Sequence, residues 1–201
     1  MTRHRGFFPV QGALIFFTAL FLLAGCALPR VIVLHDPLSA VEHDRLGRIY
    51  ESQADFGQAR EQYRMALEQD RKHLPSLLLL GDLSFKLKDY REAESAYRKA
   101  LELDPENGDA CNNLAWVYIQ TGRNFGEAKT LVDRALKANP AHRSYYLDTL
   151  GVLLLKTGDA PGAIKALSES LETLPQDRPE LLAEAKEHLA EASRAAVQET
   201  R

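Results

Sequence analysis

The stretch LGDLSFKLKDYREAESAYRKALELDP, residues 80–105, decides the fold. Its residues Tyr90, Ala93, Tyr97, Ala100 and Leu101 recur at the spacing of one helical face, and no period-two alternation competes. Pro105 closes that helix, because the pyrrolidine cannot continue the hydrogen-bond ladder. Asp89 followed three residues later by Glu92 has the spacing of a capping box, so a helix starts there and Leu80-Gly81 belongs to an earlier one. Two antiparallel helices approach closely only where one side is small. Gly81 and Ala93 supply the small residues and Tyr97 fills the space alongside, so a bulky residue at 81 or 93 is expected to force the pair apart.

Outward from this unit the pattern returns. Leu46-Gly47, Leu80-Gly81, Leu114-Ala115 and Leu150-Gly151 fall at spacings of 34, 34 and 36. Ala59, Ala93, Ala128 and Ala163 make a second column, Leu67, Leu101, Leu136 and Leu171 a third, and Ala66, Ala100, Ala135 and Ser170 stand beside them. Tyr63, Tyr97, Val132 and Leu167 are the matching space fillers. Ser39 with Glu42 and Asp55 with Gln58 repeat the capping spacing, Gly122 and Gly158 allow the positive φ of a helix end, and Pro140 and Pro175 close later units. A self-similar period of this length marks a stack of helical hairpins.

Leu80-Gly81, Tyr90, Ala93, Tyr97, Ala100 and Pro105 resemble the tetratricopeptide repeat, and the resemblance covers residues 40–177. It implies an all-α, right-handed superhelical solenoid of four helix hairpins, about 40–73, 74–107, 108–143 and 144–177. Ala115 in place of Gly, one extra residue between Ala115 and Ala128, and Arg71 in place of the first closing Pro alter loops, not the architecture. After Pro175, Leu181, Leu182, Ala185, Leu189 and Ala192 share one face of a further helix, 178–201. It is expected to cap the apolar face that an open stack leaves at its end.

The N-terminus reads as an address. Arg3, His4 and Arg5 precede an apolar run with no charge until Arg30, and the core of that run, Ala13 to Leu23, is too short to span a bilayer. Leu23-Ala24-Gly25-Cys26 resembles the bacterial lipobox. That resemblance implies a signal peptide at 1–25, lipidation of Cys26, a tether at 26–39 and, with Ala27 in place of Asp, sorting to an outer membrane facing the periplasm. The apolar run Val31 to Leu34 is expected to lie against the body. Cleavage before Cys26 removes Arg3 and Arg5, leaving 23 basic against 28 acidic residues, a net charge of −5. The acyl chains, not charge, would then hold the protein at the membrane.

The composition, 45% hydrophobic and 26% charged, is that of a globular chain, and a net charge of −3 gives no electrostatic reason to expect nucleic acid. Two cysteines make no disulfide framework, and Cys111 reads as a small buried hydrophobe. Scattered histidines argue against a metal site. Without a phosphate-binding loop or nucleophile elbow, no enzyme, cofactor or small-molecule substrate is expected.

In a repeat stack the first helix of each pair lines the inner face. Helical spacing sets Leu78, Asp82 and Phe85, then Asn112, Asn113, Trp116 and Ile119, then Tyr145, Asp148 and Val152 along a groove for a partner peptide or helix. Aromatic residues would anchor it and amides would pair with its backbone. The expectation is a membrane-tethered scaffold for an unknown envelope protein. The alternative is an oligomeric assembly subunit that uses terminal or convex surfaces, its groove filled by its own tether.

Overall fold

A computed structural model describes residues 36–199. The leader, Cys26 and the tether as far as His35 lie outside the described residues. The chain divides after Pro37, and the unit that begins at Leu38 is built as follows.

Among the described residues there are nine α-helices and no strand. Four hairpins follow one another: α1 (Ala40–Ser52) with α2 (Phe56–Gln69), α3 (Leu74–Lys86) with α4 (Tyr90–Leu103), α5 (Gly108–Thr121) with α6 (Phe125–Ala138), and α7 (Arg143–Lys156) with α8 (Ala160–Thr173). A single 3-10 turn, Pro140–His142, leads into α7, and α9 (Pro179–Glu199) ends the described chain. The first helices touch from one repeat to the next, whereas the second helices of successive hairpins do not. The stack therefore bends with α1, α3, α5 and α7 on its concave side. This is an all-α repeat solenoid.

Local chemistry explains the helix ends. At Ser39 and Glu42 the capping box is complete in both directions. Asp55 and Asp89 accept from the backbone N–H of Gln58 and Glu92, but the reciprocal half expected there is absent. Glu92 instead meets Arg60 and Arg64 of the preceding hairpin and accepts from Ser84 Oγ. Gly122 and Gly158 take φ of 66° and 86°, as their sequence positions require. Ala54 and Lys88 adopt the same left-handed conformation in the first two hairpins without a glycine to ease it. In the third, Asn124 joins Gly122 at positive φ, which absorbs the extra residue of that turn.

The core is built from the repeating columns. Ala59, Ala93, Ala128 and Ala163 are buried, as are Tyr63, Tyr97, Val132 and Leu167. A Cβ on Gly81 would stand 2.5 Å from Tyr97 Cε1, and one on Gly47 or Gly151 would collide with Tyr63 or Leu167. Where Ala115 already brings a methyl group, the filler shrinks to Val132. At the C-terminal end, Leu189 and Ala192 of α9 pack on Ala163 and Leu167 of α8, covering the face that the last hairpin would expose.

Candidate functional site

The concave face carries a cavity of about 380 Å³ between α3, α5, α7 and α9. Seven of the residues expected along the groove line it: Asp82, Phe85, Asn112, Asn113, Trp116, Tyr145 and Asp148. Leu78, Ile119 and Val152 do not, which corrects that expectation. Ile119 and Val152, 5% and 7% exposed, sit in the main core cluster, and Leu78 packs against it. The reason is the bend: α5 and α7 touch across the concave side, so side chains there are sealed between repeats.

Other lining residues were not apparent from spacing. Tyr97 reaches the cavity from the second helix of its hairpin, Gln120 sits on α5, and Leu174 follows α8. Leu181, Glu184 and Ala185 come from α9. The terminal helix thus does more than cap the stack: it also forms one wall of the hollow. His188 Nδ1 lies 3.0 Å from Asp148 Oδ1, and its ring is 6.2 Å from that of Trp116, tying α9 to α7 and α5. No sequence periodicity links His188 to Asp148, since a single contact between distant segments leaves no repeat.

The acids are held in different ways. Tyr97 donates its hydroxyl to Asp82 at 2.7 Å, and the Asn113 amide donates at 3.0 Å. Solvent reaches Asp82 from the open side, but protein crowds it elsewhere, and this burial pushes its carboxyl above the usual range despite both donors. Burial, followed by the charge of Asp82, holds the Tyr97 phenol far above its ordinary value, so Tyr97 remains the donor. The hydrogen bond to Asp148 raises the pKa of His188 against the opposing effect of burial. Asn112 donates to Asn113 at 3.4 Å, while its own Oδ1 is buried without a hydrogen-bond partner.

Cys111 is buried in the main cluster, where burial raises its thiol pKa and keeps it in the protonated, unreactive form. Among the described residues no group of three or more His, Cys, Asp or Glu could hold a metal ion. No described helix is long and apolar enough to cross a membrane.

Two family models, both described as tetratricopeptide repeat, match residues 45–108 and 84–151, together more than half of the chain. The chain belongs to the tetratricopeptide repeat family. The repeats of this family mediate protein–protein interaction. The tetratricopeptide repeat-containing protein trd-1 of Caenorhabditis elegans is 28% identical over 143 residues, covering 71% of this chain and 18% of the relative. The human protein O-mannosyl-transferase TMTC3 is 30% identical over 123 residues, 60% of this chain and 13% of the relative. The chain therefore spans less than a fifth of either relative. Among solved structures, a tetratricopeptide repeat protein from Parabacteroides merdae superimposes with a TM-score of 0.66 at 22% identity, covering 81% of this chain and 63% of that one. PilF of Pseudomonas aeruginosa gives 0.62 at 23% identity, covering 78% and 72%. These likenesses concern the fold.

Proposed function

We propose that the chain is a membrane-tethered adaptor of the bacterial envelope whose concave face holds a peptide or helix of another protein. The observation that carries this reading is the cavity itself. Its volume suits one or two side chains of a partner, Phe85, Trp116 and Tyr145 offer aromatic anchors, and Asn112 and Asn113 offer amides to a bound backbone. The tether rests on the leader and on Leu23-Ala24-Gly25-Cys26, with Ala27 favouring an outer membrane and the repeats facing the periplasm. The adaptor is non-catalytic in this reading: Asp82 is held by Tyr97 and Asn113, and Asp148 by His188, so the two do not form a free carboxylate pair. The match to an O-mannosyl-transferase spans 13% of that protein and does not carry its activity here.

The test replaces Phe85→Ala and Trp116→Ala together, verifies helicity, and repeats a crosslinked pull-down from envelopes. Loss of the partner is expected, and undiminished recovery would reject the groove. Labelling with a fatty-acid analogue examines the anchor. Label that persists in Cys26→Ser would reject lipidation at that sulfur.

Val41 and Ile49, 49% and 51% exposed on α1, favour a second reading, assembly through the N-terminal face. Concentration-dependent association in sedimentation, abolished by Ile49→Glu, would support that reading over the adaptor.

A further inference from the structure

The charge of the cavity points to the kind of side chain its partner presents, an inference that rests on the groove proposed above. Three carboxylates line the hollow from three elements: Asp82 on α3, Asp148 on α7 and Glu184 on α9. Among the described residues its lining includes no Lys or Arg. Three partly buried acids elsewhere on the repeats have cationic neighbours: Glu51 has Lys86 at 3.3 Å, Glu92 has Arg60 and Arg64, and Glu94 has Arg98 and Arg123. Asp148 has His188. Asp82 has only neutral donors, the Tyr97 hydroxyl and the Asn113 amide, and its crowded carboxyl is held above the ordinary range.

A second observation is independent of the acids. Asn112 is 7% exposed and lines the cavity, and its Oδ1 is buried without a hydrogen-bond donor. An unmet acceptor beside an uncompensated carboxylate is suited to a planar group rich in N–H donors. Aromatic faces add attraction for a cation and apolar contact for its stem.

We propose that the cavity binds a cationic side chain, arginine in preference to lysine, presented by an extended segment of a partner protein. Its stem lies against Trp116 and Phe85, and its guanidinium takes Asp82 as its acceptor, with the Asn112 amide in the wall alongside. The recognition therefore has the opposite polarity to a site built to grip a terminal carboxylate.

Trp116 is the only tryptophan of the chain, so its emission reports on this cavity directly. The full chain, solubilised in detergent, is titrated with three blocked pentapeptides that carry arginine, citrulline or glutamate between leucines. Saturable binding is expected for the arginine peptide, about tenfold tighter than for the isosteric but uncharged citrulline peptide. High salt should shrink that advantage, since it screens the charge. Asp82→Asn should remove it while leaving an acceptor for Tyr97, and Glu184→Gln, on the exposed face of α9, should lower it without disturbing the fold. Equal affinity for arginine and citrulline, or preference for glutamate, would overturn the inference and leave the groove standing. No emission change with any peptide would also overturn it, and the groove would then be judged by the Phe85→Ala, Trp116→Ala pull-down. Concentration-dependent dimerisation that buries Trp116 would assign the cavity to a second copy of the chain and overturn the inference too.

Discussion

The two halves of the concave face treat their polar side chains differently. Around α1, several polar groups are paired inside the fold. His43 meets Gln62 at 2.8 Å, Ser76 donates to Asp44 at 2.7 Å, and Tyr63 donates to Glu51, which also meets Lys86. Toward its other end the face opens into a hollow with aromatic walls, where Asp82 of α3 is held by neutral donors and the amide oxygen of Asn112 on α5 has no donor. Both halves are made from the same hairpin, so the difference comes from what stands on the inner helices and from α9, which closes the second half and has no counterpart among the described residues at the first. In a stack whose units contact mainly their neighbours, such a difference can remain local without endangering the fold.

Removing α9 should disturb this contrast most. Deleting Pro179 to Arg201 should expose Ala163 and Leu167 and take away one wall of the cavity. Helicity per residue should persist in circular dichroism while the protein associates more strongly in sedimentation than the intact chain. A truncated chain with the association state and melting of the intact one would deny α9 its capping role. The next effect concerns how tightly each hairpin closes. Tyr97→Ala removes the filler against Gly81 and the donor to Asp82, and should cost about 4 kcal/mol in urea unfolding, whereas Val132→Ala beside Ala115 should cost about 2 kcal/mol. Equal costs would contradict the idea that filler size compensates for the residue opposite.

A smaller effect is pH-dependent. His188 faces Asp148 on α7 and the Trp116 ring on α5, with Glu184 and Glu191 on its own helix. The hydrogen bond to Asp148 raises its pKa, so the folded state holds the proton more tightly than the unfolded state. The resulting stability is fully present below the ordinary histidine value and is lost as pH rises through the raised one. Amide exchange in α9 should therefore quicken from pH 6 to pH 9 beyond the intrinsic chemical rate. In His188→Gln that excess should vanish. Its survival would deny the pair this role.

Much of the fold was legible because repetition amplifies weak signals. Leu80-Gly81 alone says little, but four copies of its column fix both the helix pair and its close approach. The turns were legible only where Gly announced them, since Ala54 and Lys88 reach the same left-handed conformation under tertiary constraint. Within the candidate site, a residue's helical face could be read from the sequence, but its depth could not. Ile119 and Val152 share the inward side with Trp116 and Tyr145, yet contact between α5 and α7 buries them. The α9 wall was invisible for a different reason: Asp148 and His188 stand forty residues apart and meet once.

If the hollow between α3, α5, α7 and α9 is where a partner sits, a crosslinker placed there should capture it. A photoreactive amino acid at Gln120, exposed on the cavity rim, tests this in living cells against the same probe at Lys99, exposed on α4 of the second helical layer. A discrete adduct is expected from position 120, disappearing when Trp116→Ala is added, and none from position 99. Adducts from position 99 with none from position 120 would contradict the assignment of the partner to this hollow.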